Sequence, residues 1–254
     1  MLNYDNRGRT VRANGLITFA DALVQIPIGI DTLYTGECDG SISLSNNRAT
    51  FNKLLVRLGA SDFVLSGTLT DYQTAFLGTR TSMPSLNLRV VSKTFSTIGL
   101  LPHMNLNIGR PLLSWLPTAN ISLDFSASRL LMPADSLSRV KADLRLLDYF
   151  VKLQRLSYSS SVGDFFVTGW TDYSQAGKTT FSITTRVTTP NFGKLMRKYL
   201  GRDEIVGGNG RGALTLNGVF NDSGKVDLAP SRTRSLLKVA LLLLREMLPS
   251  HSPV

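Results

Sequence analysis

Residues 120–127 read NISLDFSA, and in this stretch apolar side chains alternate with polar ones. Residues 140–146, VKADLRL, show the same alternation with charged residues at the polar positions. Successive side chains of a β-strand point to opposite faces of a sheet, so each stretch has one apolar face and one polar face. This pattern is typical of antiparallel sheets with one solvated side, whereas buried parallel strands have continuous apolar runs.

Alternating runs recur along most of the chain, and turn signals separate them. They also occupy residues 86–90, residues 181–187 and, less regularly, residues 214–220. The turn signals are Asn46-Asn47, Asp71-Tyr72, Ala176-Gly177 and Asp222-Ser223-Gly224. Together these signals predict roughly ten to thirteen strands.

Helical signals are few. We predict a short helix over residues 192–200, one or two turns over residues 110–116, and a long helix over residues 231–248 that ends at Pro249. The long helix has a wide apolar stripe, which favours packing against the sheet, with binding to a membrane surface as the alternative.

The fold class predicted from these patterns is all-β and mainly antiparallel. We expect one long curved sheet with an apolar face that forms a groove or a partly closed barrel, accompanied by a few short helices and a C-terminal helix. The expected boundaries are a repeated antiparallel β-domain at residues 1–230, an amphipathic helix at residues 231–248 and a tail at residues 249–254.

Composition limits the class of protein. Hydrophobic residues make up 43% of the 254 residues and charged residues 18%, so the chain can fold around a core and is not of the disordered type. Cys38 is the single cysteine, which excludes an internal disulfide framework. The formal net charge of +10 favours an anionic partner, either phospholipid headgroups or nucleic acid, although the basic residues are scattered.

The chain contains an internal repeat. Residues 62–72 read DFVLSGTLTDY and residues 164–173 read DFFVTGWTDY, with a fainter echo, GALTLNGVFND, at residues 212–222. Each of the first two copies is followed by a loop, an alternating strand and a short helical piece. The helical pieces are predicted at residues 94–101 and 191–200. Such repetition predicts a sheet that is extended by similar elements. The matched glycines are expected at bulges or sharp bends; they are Gly67, Gly169 and Gly218.

At this repeat the chain resembles the AsmA family of bacterial envelope proteins, including its larger relatives of the TamB and YhdP kind. Those proteins repeat an apolar strand, Ser/Thr-Gly, a further strand and an Asn/Asp-Tyr turn, and SDFVLSGTLTDY and GDFFVTGWTDY follow that order. Residues 121–160 have the family's succession of alternating strands, and residues 208–228, GNGRGALTLNGVFNDSGKVDL, continue it. The resemblance covers most of residues 40–228.

The resemblance implies a bent β-sheet with a hydrophobic groove that faces the periplasm and is anchored to the inner membrane. It also implies that phospholipid or another acyl-chain ligand is the partner, that envelope proteins are further partners, and that the role is in outer-membrane homeostasis. Residues 1–10, MLNYDNRGRT, lack the apolar core of a signal peptide, so we expect a fragment or domain of a longer protein. The predicted lipid-binding residues are Phe63, Leu65, Leu69, Leu86, Leu88, Phe165, Val167 and Phe181.

Catalytic and metal-binding patterns are missing from the sequence. His103 and His251 are the two histidines, and neither a Gly-x-Ser-x-Gly elbow nor Cys/His metal spacing accompanies them. The glycine-rich residues 207–212 follow a predicted helix and precede a strand, which reverses the order of a nucleotide-binding loop. Asp71 and Asp172 occupy equivalent turns, where aspartate commonly bonds the backbone. We therefore predict a protein that is not an enzyme and needs neither cofactor nor metal.

Three alternatives stand beside the lipid hypothesis. A basic all-β nucleic-acid-binding or capsid-type structural protein would use the positive charge, and its binding would fall steeply with salt. The aromatic residues are predicted mostly on the apolar face instead of between basic residues, so nucleic acid is not the expected partner. A structural domain that contacts a protein partner would use an open sheet edge. Finally, the apolar face could close on itself as a core without a ligand.

Overall fold

The computed structural model describes residues 2–5, 10–23, 25–28, 31–34, 36–72, 83–97, 119–133, 135–175, 178–189, 193–194, 197, 208–221 and 226–228. Most of these residues belong to sixteen strands, which confirms the all-β class. The strands are β1 (Leu2–Asp5), β2 (Thr10–Ala13), β3 (Gly15–Ala22), β4 (Gln25–Ile28), β5 (Asp31–Tyr34), β6 (Cys38–Ser45), β7 (Arg48–Leu58), β8 (Ser61–Thr70), β9 (Ser85–Ser96), β10 (Asn120–Leu131), β11 (Ser136–Leu147), β12 (Phe150–Ser160), β13 (Gly163–Gln175), β14 (Lys178–Thr189), β15 (Gly210–Asn221) and β16 (Val226–Leu228).

Twelve of the strands form one sheet in the order β16-β15-β14-β13-β12-β11-β10-β9-β8-β7-β6-β3. Neighbours in this sheet run antiparallel, except that β9 and β10 are parallel. The sheet is open, with β3 at one edge and β16 at the other. Two further sheets are two-stranded pairs, β1 with β2 and β4 with β5.

The parallel pair divides the large sheet into two antiparallel meanders. Ser96 at the end of β9 pairs with Leu131 at the end of β10, while Ser85 and Asn120 pair at the starts of the same strands. Parallel neighbours need a crossover connection of about a dozen or more residues, and residues 97–119 provide that length. Each meander contains one of the two close copies of the repeat, in β8 and in β13, and the fainter copy lies in β15.

The structure describes few residues of the predicted helices. Residues 110–116 and 231–248 lie outside the described residues, whereas Gly193, Lys194 and Arg197 of the predicted helix over 192–200 are described and helical. The prediction of a helical piece from Thr94 is wrong at its start, because Thr94–Ser96 belongs to β9. The ring of Phe95 lies 5.4 Å from that of Phe63, and this contact with a neighbouring strand favours the extended conformation.

The two copies of the repeat adopt matching hairpins. In the first, Gly67 of β8 pairs with Phe51, and the register of β7 shifts between Phe51 and Leu54. In the second, Gly169 of β13 pairs with Leu153, and the register of β12 shifts between Leu153 and Leu156. Both glycines therefore lie beside a β-bulge of the preceding strand, as the sequence predicted.

A side chain at either bulge glycine would collide with the next strand. A Cβ on Gly67 would lie 2.0 Å from the carbonyl oxygen of Asn87, and one on Gly169 would lie 2.6 Å from that of Ser182. The prediction is wrong for Gly218, since β14 and β15 pair without interruption and Phe181 lies opposite this glycine. At this position the aromatic residue across from the glycine shields the bare backbone.

We expect Gly67→Ala to destabilise the fold by about 2 kcal/mol or more, as overpacking against a fixed backbone does. Gly67 also has a φ of 155°, which an alanine rarely adopts. Urea unfolding followed by circular dichroism measures the change. Gly15→Ala is the matched control, because a Cβ there meets nothing within 4 Å. Equal stability of the two variants would contradict the close approach.

Candidate functional site

The strand register places the predicted lipid-binding residues on one face. Residues paired across neighbouring strands share a face, as do residues two apart along a strand. One row of paired residues runs from β3 to β15: Ile17, Ile42, Phe51, Gly67, Leu88, Leu123, Leu144, Leu153, Gly169, Ile183 and Leu216. Each of these residues is apolar or glycine.

The rows on either side have the same character. One consists of Gly15, Leu44, Ala49, Leu69, Leu86, Ile121, Leu146, Val151, Thr171, Phe181 and Gly218. The other consists of Leu65, Val90, Phe125, Ala142, Leu156, Val167, Thr185 and Leu214. Phe63 and Phe165 lie two residues before Leu65 and Val167, on the same side. We call this surface the apolar face.

The apolar face has no charged side chain in these rows. With strands about 4.8 Å apart, twelve strands give it a length of about 50 Å. Phe165 and Phe181 are buried, at 4% and 3% exposure, whereas the other predicted residues are half-buried. Among the described strands, the main backbone contacts join hydrogen-bonded neighbours and, to a small extent, β2 with β6.

One end of the apolar face is a packed aromatic region. The Phe95 ring lies between those of Phe63 and Phe125, with centroid distances of 5.4 and 5.5 Å. The Tyr158 and Phe165 rings stack at 4.9 Å. The buried residues Ala127, Leu137 and Val140 pack beside them. In contrast, the middle rows around Leu86, Leu88 and Leu123 remain half-buried and present accessible apolar surface.

The opposite face of the sheet is polar. Its central row contains Arg89, Asp124, Asp143 and Arg155 on successive strands, and the ion pair of Arg89 with Asp124 measures 4.0 Å. Further along the same row, the hydroxyl oxygens of Thr184 and Thr215 lie 3.0 Å apart. We call this surface the polar face.

The sequence missed an aromatic pair on the polar face. Trp170 is 39% exposed and stacks on Phe150 at 5.9 Å, and Phe166 is 36% exposed on the same side. Phe150, Phe166 and Trp170 are therefore exceptions to the expectation that aromatic residues lie mostly on the apolar face. The alternation could have shown this, because Phe166 and Trp170 each follow a residue of the apolar face by one position.

A shallow depression of about 560 Å³ lies beside the polar face and includes Ser126, Lys141 and Ser157 in its lining. At its rim the Arg139 guanidinium donates to the Asp164 carboxylate at 3.1 Å, so these charges balance each other. The described residues contain no His, Cys, Asp or Glu cluster suited to a metal ion. The described helical residues likewise include no helix long and apolar enough to span a membrane.

No protein-family model, curated protein or solved structure matches the chain. The resemblance to the AsmA family thus rests on the strand motifs, and its functional implications stay predictions.

The Asp62 carboxylate fixes the start of β8 beside Phe63. It accepts hydrogen bonds from the Thr94 amide at 2.7 Å, the Lys93 amide at 3.0 Å and the Ser92 hydroxyl at 3.2 Å. Partial burial acts to raise the pKa of Asp62, but these hydrogen bonds outweigh it and hold the pKa below its ordinary value. The ionised carboxylate therefore stabilises the folded state.

We expect Asp62→Asn to lower the free energy of unfolding at pH 7 by about 1 kcal/mol, because a neutral amide accepts these hydrogen bonds less strongly than the charged carboxylate does. Because the pKa of Asp62 is lower in the folded than in the unfolded protein, its ionised form stabilises the fold at pH values above the unfolded pKa of about 3.9. This contribution disappears as the pH falls through the folded pKa. In urea unfolding, the difference in stability between Asp62→Asn and the unmodified protein should be smaller at pH 3 than at pH 7. Asp124→Asn, at a side chain 61% exposed, is the control. A pH-independent difference would contradict this role.

Proposed function

We propose that the protein is a non-enzymatic envelope domain that shelters or conducts phospholipid acyl chains along its apolar face and so supports outer-membrane homeostasis. The observation that supports this proposal is the charge-free surface that continues from β3 to β15. The periplasmic location, the inner-membrane association and the envelope partners follow from the resemblance to the AsmA family and are part of the same proposal.

The dimensions and energetics of the apolar face suit acyl chains. A bilayer hydrocarbon core is about 30 Å thick, so a single leaflet accounts for about 15 Å, and the face of about 50 Å exceeds this several-fold. Each methylene removed from water contributes about 0.8 kcal/mol, so even partial contact with the half-buried leucines would retain a chain. The headgroup would remain in water at the rim, since the face offers it no charged partner.

Leu88→Arg should reduce the phospholipid retained per protein by at least about fivefold, because a cation among acyl chains costs about 2.5–3.5 kcal/mol. Leu88 lies in the middle of the apolar face, paired with Leu123. Mass spectrometry of organic extracts, after incubation with phospholipid vesicles and gel filtration, measures the retained lipid.

The matched control is Asn87→Arg, which adds the same charge one residue away, between Thr68 and Ser122 on the polar face. This variant should retain lipid as the unmodified protein does. Leu88→Gln serves as a second, milder change, and circular dichroism verifies that each variant is folded. Equal retention by folded Leu88→Arg would count against the proposal, as would a lipid-free unmodified protein.

Nucleic-acid binding is the second candidate, and one row of the polar face favours it. Arg145, Lys152 and Trp170 are paired on β11, β12 and β13, which places two cations beside an exposed indole. Basic side chains next to an aromatic surface are the elements of a single-strand binding site.

If this candidate is correct, the chain binds single-stranded oligonucleotide with an affinity that falls steeply between 50 and 200 mM salt, because bound counterions are released. Fluorescence anisotropy measures the affinity, and Trp170→Ala should weaken it by about 1–3 kcal/mol. Phe165→Ala, on the apolar face, should not weaken binding beyond its effect on folding. No binding at 50 mM salt would remove this candidate.

A further inference from the structure

The first edge of the large sheet is an exposed strand. β3 pairs with β6 on one side. The pairing of β1 with β2 ends at Ala13, so from Gly15 onward β3 has no second partner among the strands that the structure describes. Alternate residues of such an edge direct N–H and C=O groups away from the sheet, where they can pair with another strand.

The exposed part of β3 lacks the features that usually protect an edge. Residues 15–19 read GLITF, without a charged residue or proline. Leu16 is 64% exposed and Ile17 is 45% exposed, on opposite faces of the strand. The protective features begin afterwards, where Asp21 has a φ of 49° and the register shifts between Phe19 and Ala22.

The interior of the sheet shows which neighbours suit this strand. Glycine lies opposite an aromatic residue in three cross-strand pairs: Phe19 with Gly40, Phe51 with Gly67, and Phe181 with Gly218. In such pairs the ring covers the bare backbone of the glycine. β3 itself contains a glycine and a phenylalanine, Gly15 and Phe19, at equal distances from Ile17.

We propose that β3 pairs antiparallel with β3 of a second copy of this chain, about a twofold axis at Ile17. This register places Ile17 opposite Ile17 of the partner subunit and Gly15 opposite the partner's Phe19, twice by symmetry. Leu16 then lies opposite the partner's Thr18. Because paired residues share a face, the two apolar faces join into one surface. This pairing does not depend on the proposed lipid function.

Sedimentation equilibrium of the full chain, from micromolar to millimolar concentration, tests the pairing. We expect a reversible dimer, and Ile17→Lys should weaken it at least tenfold by placing like charges directly opposite each other. Leu23→Lys adds the same charge at a side chain 77% exposed, outside the paired register, and should leave the dimer intact. Leu16→Lys is a second edge variant, and circular dichroism verifies that all variants are folded.

Cross-linking tests the register. Antiparallel partners have Cα atoms about 4.5–5.5 Å apart, within the range of a disulfide. With buried Cys38 replaced by Ser, Ile17→Cys should give a covalent dimer on oxidation, whereas Leu23→Cys should not. A monomer at all concentrations would overturn the proposal. A dimer that Ile17→Lys does not weaken would also overturn it. So would cross-linking of Ile17→Cys to a foreign polypeptide and not to a second copy of the chain.

Discussion

The cross-strand register is the constraint on which the rest of the structure depends. A slip of one residue would move every apolar side chain of a strand to the polar face. In β7 and β12 an extra residue is absorbed by a bulge, so that Leu54 and Leu156 return to the apolar face. Gly67 and Gly169 lie opposite these bulges, and on their other side β9 and β14 pass where a side chain would lie. The apolar face is continuous because these local irregularities preserve it.

Local patterns were sufficient to predict the fold class and the common face of the candidate site, although the expected ten to thirteen strands are fewer than the sixteen that the structure describes. Residues 120–127 and 140–146 alternate regularly, and they pair with each other directly, Leu123 with Leu144 among them. The repeat likewise predicted two of the bulges. These features depend on neighbours in sequence, so they can be seen without the fold.

Features set by distant contacts could not be predicted. The parallel pairing of β9 with β10 depends on a connection over residues 97–119, and alternation does not show strand direction. β9 extends through Thr94 because Phe95 packs between Phe63 and Phe125 on the strands beside it. The exposed edge at β3 is known only once the strand order is known. The stacking of Trp170 on Phe150 also joins two strands.

If the proposed function is correct, acyl chains contact the apolar face and not the polar face. A photoreactive phenylalanine analogue at Leu123 or Ile183 reports on the apolar face, and the same analogue at Ser122 or Ser182 reports on the polar face one residue away. After illumination with phospholipid vesicles, we predict lipid adducts at Leu123 and Ile183 and none at Ser122 and Ser182. Equal labelling of both faces, or no labelling of the apolar face, would contradict the proposed binding of acyl chains to the apolar face.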